Sequence, residues 1–215
     1  EGVRFLSAPP KGFPASRPLI RRAGSAMFGA AGPIQKLADV LARVLPADEF
    51  EIGSMERLGS VPYLANLKSA VVLYTKSDGF IDLRALLDGF LQESTVRTSC
   101  ELKSAVCTPE GWKLSTTTGA IECSTLVVAA GAWAGPCGIG IGAAPPPVQP
   151  TRRHLFESEK QADFSREAPF VWDIATECYV RPSGGGSLWL SACDQDPYDP
   201  AMPLRPSIHM MDVLK

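Results

Sequence analysis

TLVVAAGAW, Thr125–Trp133, is the stretch on which the reading of this chain turns. Leu126–Ala130 carries no polar side chain, and short apolar runs of this kind form strands buried on both faces in the middle of an α/β sheet. The small residues that follow leave room for a ligand to approach the backbone. The carboxyl edge of the strands is also where α/β sheets hold their ligands. The opening residues Glu1–Phe28 contain no Gly-x-Gly-x-x-Gly after a strand, so the usual phosphate-binding entry turn is not among them. The expectation is the middle of a nucleotide-binding protein.

The composition fits that expectation. A chain of 215 residues, 45% hydrophobic and 20% charged, can bury one large core or two small ones. Its net charge of -2, with both signs interspersed, gives no footprint for nucleic acid. Cys100, Cys107, Cys123, Cys137, Cys178 and Cys193 form no C-x-x-C pair, and there are only two histidines, so no metal site is expected. Scattered cysteines of this kind read as reduced, mostly buried thiols of a cytoplasmic protein. The low-charge segment Thr125–Gln149 is interrupted by Pro136 and by Pro145–Pro147, which argues against a membrane span. No signal-peptide pattern opens the chain, and the start at Glu1 leads us to expect a natural N-terminus further upstream.

Outward from Thr125, the elements follow a definite order. Glu1–Phe28 is proline-rich and irregular, and leads into a short strand at Ser25–Gly29. Pro33 opens a helix with Leu37, Val40, Leu41 and Val44 on one face, and Pro46–Leu58 reads as loop. Ala70–Thr75 reads as a strand, and Asp82 caps a helix with apolar Leu83, Leu86, Leu87, Phe90 and Leu91. Cys100–Cys107, Trp112–Thr117 and Ala120–Cys123, separated by turns at Pro109–Gly111 and Thr118–Gly119, read as a three-stranded meander. After Pro150 come strand-like runs at Arg153–Glu157, Phe170–Ile174, Cys178–Arg181 and Ser187–Ala192, with a turn at Gly184–Gly186. A helix is expected near Ile208–Leu214.

Six stretches in this order carry a family resemblance: FLSAPPKGFPASRPLI, DGFIDLRALLDGFL, LVVAAGAWA, VQPTRRHLF, PFVWDIATECYVRP and GGGSLWLSACDQDP. The resemblance they carry extends over nearly all of the chain, which resembles the FAD-dependent amine and amino-acid oxidoreductases of the D-amino-acid oxidase type. Within these it looks closest to the bacterial D-amino-acid dehydrogenases. The resemblance implies a mixed α/β (α+β) fold, with part of a Rossmann-like FAD domain bearing a β-meander and an antiparallel-sheet substrate domain. It implies a connecting segment over 1–24, substrate domain over 25–77, FAD domain over 78–149 (helix, meander, buried strand) and substrate domain again over 150–215. It also implies that the family's glycine-rich phosphate turn would precede Glu1, and that a flavin-contacting segment would follow Lys215.

The resemblance assigns residue roles. Ala129, Ala130, Gly131, Ala132 and Trp133 match the family's second FAD contact, and Leu102 lies on the meander strand that runs past the adenine. Arg153, second of the Arg152–Arg153 pair, aligns with an arginine that engages the substrate carboxylate, a task suited to its planar fork. Tyr179 matches a tyrosine whose hydroxyl bonds the same group, and Phe170 an apolar wall of the pocket. Ser25 stands on the early strand where relatives that act on cationic substrates carry an acidic residue, so neutral or apolar substrates are favoured. Gly138–Ala143 fits the dinucleotide fingerprint by spacing alone, but a proline precedes it and prolines follow, so it is not read as a phosphate loop. His154, next to the arginine pair, is weighed as a general base and set aside.

The function expected is FAD-dependent oxidation of the Cα–N bond of a small amino acid, D-amino-acid-like, or of a secondary amine, as an oxidase or dehydrogenase within a larger flavoprotein. The partner is then a small-molecule amino-acid or amine substrate and, in the split-enzyme alternative, a second chain that supplies the nucleotide-binding half. The competing expectations are a degenerate flavoprotein without activity of its own and one subunit of a split flavoenzyme.

Overall fold

A computed structural model of the chain describes residues 2–15, 18–54, 71–160, 165–183, 185–203 and 205. In chain order the elements are α1 (Gly2–Ser7), β1 (Ile20–Arg22), β2 (Ser25–Gly29), α2 (Ala31–Leu41), β3 (Phe50–Ser54), β4 (Val71–Thr75), β5 (Gly79–Ile81) and α3 (Leu83–Leu91). There follow β6 (Leu102–Thr108), β7 (Gly111–Thr116), β8 (Gly119–Cys123), a 3-10 turn at Gly131–Trp133 and α4 (Ala134–Gly140). The last are β9 (Thr151–Arg152), β10 (Phe156–Glu157), β11 (Phe170–Asp173), β12 (Tyr179–Pro182), β13 (Leu188–Ser191) and β14 (Asp196–Pro197). The fold is mixed α/β with several sheets. Described residues within Glu1–Glu93 and Arg153–Asp194 form one compact unit, and those within Ser94–Arg152 and Gln195–Arg205 a second.

The first unit is built on a seven-stranded sheet in the order β10-β13-β12-β11-β2-β4-β3. Its pairs are antiparallel except β2 with β11, which run parallel with Ser25 beside Phe170 and Phe28 beside Asp173. Apolar β-branched and aromatic residues suit the pleated surface, and Val72, Leu73 and Val171 are almost fully buried in it. Helix α2 lies on the sheet through Ile34 and Ala38, which pack with Leu73, Met27, Phe50 and Ile174. Gly24, just before β2, has φ +75, and a Cβ there would fall 2.2 Å from the Tyr74 hydroxyl. Its backbone conformation therefore favours glycine, and a side chain there would also have to displace the Tyr74 ring. Asp82 caps α3 by accepting a hydrogen bond from the Ala85 amide at 3.0 Å. Phe5, Phe13 and Phe90 cluster with ring centroids 5.1–5.9 Å apart.

The second unit carries the meander β6-β7-β8, antiparallel throughout, and the short pair β9-β14. The three meander strands fall where the alternating pattern and the turns put them.

Several elements differ from expectation. Leu126–Ala130 forms no strand and belongs to no ladder, and Val127 is 79% exposed. A doubly buried strand takes its burial from neighbouring strands and covering helices, and among the described residues none lies beside this run. In α2 the buried stripe is Ile34–Ala38, with Leu37 and Leu41 partly buried, whereas Val40 and Val44 face water. The apolar spacing admitted both stripes, and Ile34 and Ala38 are the ones that meet Leu73. The expected loop from Pro46 contains β3, which forms because β4 offers it an edge. The opening segment is less irregular than its prolines suggested, with α1 and β1 formed. All six thiols are free, but only Cys193 is buried and Cys107 is exposed, which corrects the expectation of mostly buried cysteines. Gly184, Ile208–Leu214 and residues 55–58 lie outside the described residues. No helix among the described residues is long and apolar enough to cross a membrane.

Candidate functional site

In the second unit, the segment after β8 runs through Leu126–Ala130 into the 3-10 turn and α4. Gly131 makes this corner with φ +55, a conformation that L residues rarely adopt. The corner faces the start of β6 across a cleft of about 380 Å³ lined by Leu102, Lys103, Ala130, Trp133, Cys137 and Ile141. Three of the sequence's cofactor candidates, Leu102, Ala130 and Trp133, thus meet in one hollow. Ala132 lines a neighbouring hollow of about 420 Å³ with Ile139, Val148, Pro150 and Tyr198. Ala129 and Gly131 line neither of the two.

The chemistry of the first cleft suits a flat heterocycle. Leu102 and the half-exposed indole of Trp133 supply apolar surface, and the only charges on the lining, Glu101 and Lys103, neutralise each other at 2.6 Å. A diphosphate asks for more, namely glycine-lined amides at the start of a helix that follows a strand. Gly138 and Gly140 sit inside α4 itself, with no strand before it and no helix between Ile141 and Pro150. The residues described here fit the base end of a dinucleotide cofactor and do not include its phosphate grip.

In the first unit, register and alternation put Ser25 and Met27 of β2, Phe170 and Trp172 of β11, Tyr179 and Arg181 of β12, and Trp189 and Ser191 of β13 on one face of the sheet. Tyr179 stacks on Trp172 with centroids 5.8 Å apart, and among the described residues its hydroxyl has no protein partner. Phe170 is half-buried and meets Phe80 edge-on at 6.5 Å. Ser25 is fully buried, and its hydroxyl donates to Asp78 Oδ2 at 2.5 Å. Arg153 is exposed, with Nε and Nη2 each 3.5 Å from the main-chain carbonyls of Asp194 and Cys193.

His154 is buried in a clasp. Its amide donates to Asp194 Oδ1 at 2.8 Å, its Nδ1 lies 2.7 Å from Asp194 Oδ2, and its carbonyl accepts from the Ser191 hydroxyl at 2.7 Å. Burial by itself would raise the Asp194 carboxyl, but the amide bond, the ring bond and the charge of His154 together hold it below its ordinary value. The ring is a tie between chain segments, with no open face for proton transfer to a substrate.

Sequence reasoning passed over Arg181, Phe80 and Trp189. The Arg181 guanidinium lies 4.1 Å from the Trp189 ring centroid and 5.6 Å from that of Phe80. The available signal was the period of two in β12, which gives Arg181 the same face as Tyr179.

The sequence matches the family described as FAD dependent oxidoreductase (DAO) over residues 17–214. The chain belongs to this FAD-dependent oxidoreductase family. A comparison with curated protein sequences returned no significant match. Among solved structures, this family member is similar to L-proline dehydrogenase from P. horikoshii, with TM-score 0.74 and 13% identity over 91% of this chain and 54% of that one. It is also similar to glycine oxidase from Geobacillus kaustophilus, with TM-score 0.67 and 15% identity over 99% and 56% of the two chains. Iminodiacetate oxidase from Chelativorans sp. BNC1 gives TM-score 0.70 and 16% identity over 91% and 54%. The chain spans about half the length of the solved structures it matches.

Proposed function

We propose that the chain is part of a flavoenzyme that oxidises the Cα–N bond of a neutral or apolar amino acid, a D-amino acid in the branch it resembles, or of a secondary amine. In this reading the unit within Ser94–Arg152 and Gln195–Arg205 contributes to FAD binding, and the seven-stranded sheet of the other unit carries the substrate. The observation that carries it is the convergence of Leu102, Ala130 and Trp133 on one cleft in a chain of this family.

FAD, when bound, supplies the two-electron acceptor for the hydrogen on the substrate's α-carbon. Leu102, Ala130 and Trp133, which share one cleft, would hold the cofactor's base end by apolar contact. On the sheet face, the Tyr179 hydroxyl and an arginine hold the substrate carboxylate, so that orientation replaces any protein nucleophile. Arg153 is the arginine the sequence puts forward for that task, and Phe170 supplies an apolar wall. Ser25 is fully buried and its hydroxyl donates to the Asp78 carboxylate, so the acidic group nearest that position is Asp78. The free thiols accord with a reducing, cytoplasmic setting.

A second reading follows from the phosphate grip that the described residues do not include. The chain would then be one subunit of a split flavoenzyme, or a degenerate flavoprotein. Flavin absorbance after removal of free FAD tests both readings. Stoichiometric flavin, bleached anaerobically by D-amino acids, is expected if the chain binds FAD and is competent alone. Flavin retained only after mixing with a second, nucleotide-binding chain would favour the split enzyme, and no flavin in either case would favour the degenerate flavoprotein over a competent one.

A further inference from the structure

We propose that the exposed face of helix α3 is a self-association surface, and that its partner is α3 of a second copy of this chain, packed antiparallel. This goes beyond the flavoprotein reading and does not depend on it.

The face follows from spacing. Leu83, Leu87 and Phe90 stand at i, i+4 and i+7, and so share one stripe of α3. They are 71%, 52% and 63% exposed, although an amphipathic helix ordinarily turns such a stripe to a core. The unit uses the other side of the helix. Ala85 and Gly89 are partly buried there, and a Cβ on Gly89 would fall 2.1 Å from a Phe13 ring carbon. At the carboxyl end of the stripe the Phe90 ring is held in place, stacked on Phe5 at 5.9 Å and edge-on to Phe13 at 5.4 Å. A side chain fixed in this way loses little freedom on binding. Large apolar side chains gathered at one exposed place mark an interaction surface.

Charge decides the occupant. Arg84 and Asp88 lie one turn apart along one flank of the stripe, 2.8 Å from each other in an ion pair open to water. A two-fold axis crossing the helix between Leu86 and Leu87 turns this face onto itself. Leu83 then lies opposite Phe90 of the second copy, and Leu87 opposite its own counterpart. The same flank of both helices comes together in such an antiparallel pair, so Arg84 meets Asp88 in both directions. Two separate ion pairs become a ring of four alternating charges around an apolar centre. An unrelated partner would need apolar surface but no such symmetry. The stripe is short of the roughly 800 Å² per partner that stable complexes bury, so association should be weak and visible only at high concentration.

The test is sedimentation equilibrium of the 215-residue chain. Concentrations from about 1 to 300 μM span the affinity expected of so small a contact. The average mass of the parent should rise from one chain towards two. Leu87→Asp puts a charge in the middle of the stripe and should hold the mass at one chain. Arg84→Glu makes the flank all acidic and Asp88→Arg makes it all basic, and each should weaken association by at least about fivefold. An equimolar mixture of these two should associate at least as tightly as the parent, because each flank then meets its opposite. Both substitutions fall on side chains open to water, so they serve if Leu87→Asp misfolds by circular dichroism. A parent that stays at one chain throughout, association that folded Leu87→Asp leaves intact, or a mixture no tighter than its components would each overturn the inference. A nucleotide-binding chain that binds the parent but not Leu87→Asp, while the parent alone stays single, would overturn it too, by giving the face to that partner.

Discussion

Arg152, Arg153 and His154 are consecutive, yet each is settled by a different neighbour. Arg152 bonds the Asp196 carboxylate at 3.3 Å and the Arg205 carbonyl at 3.0 Å, Arg153 reaches only main-chain carbonyls, and His154 is clasped by Asp194. The clasp has a pH signature. Asp194 is held below its ordinary 3.8, so its contribution to stability is fully present above that value and is lost as the pH falls through the lower folded value. Asp194→Asn should therefore cost about 2 kcal/mol at neutral pH, the scale of a buried charged hydrogen bond. The gap from the parent should close in acid below about pH 4. Denaturant midpoints measured across that range check this, and a gap that stays constant into acid would show that the charge of Asp194 is not what stabilises the clasp. Histidine next to an arginine pair suggested chemistry in the sequence; only the burial of the ring, invisible to spacing, shows it to be a tie.

At the scale of elements, what was legible depended on how locally each element is determined. The meander strands carry their own alternation and turns, and Asp82 caps α3 within one helical turn, so these could be read from the chain alone. Strand β3 could not, because FEIGS becomes a strand only against β4. Helix α2 was legible as a helix but not in its rotation, since Val40 and Ile34 are both apolar and only the sheet chooses between them. The site divides in the same way. Leu102, Ala130 and Trp133 came from motifs and share a cleft, whereas the approach of the Arg181 guanidinium to the Trp189 ring needs the β12–β13 register, which no linear pattern states. Ile34→Ala should cost about 2–4 kcal/mol through the cavity left against Leu73, while Val40→Ala should cost less than about 1 kcal/mol. Thermal or denaturant unfolding of both variants decides the matter, and equal losses would mean that α2 does not bury the Ile34 stripe.

Across the whole molecule, protection from solvent is unevenly distributed. The seven-stranded sheet joins most of its strands on both sides, whereas Leu126–Ala130 has no ladder and exposes Val127 and Val128. Amide hydrogen exchange should be slow in β2, β4 and β11 and close to that of an unstructured chain across 126–130. Slow exchange there would mean that the run is paired in solution. The parallel pairing of β2 with β11 has a further consequence in time. Ser25 and Phe170 are synthesised far apart, and β2 must leave the ribosome long before its neighbour exists. Until then α2, β2, β3 and β4 form a patch whose β2 edge is open, and closing that edge requires the ends of a very long loop to meet. Folding should thus be slow and dominated by this one closure, and a nascent chain halted before Asp173 should cling to chaperones.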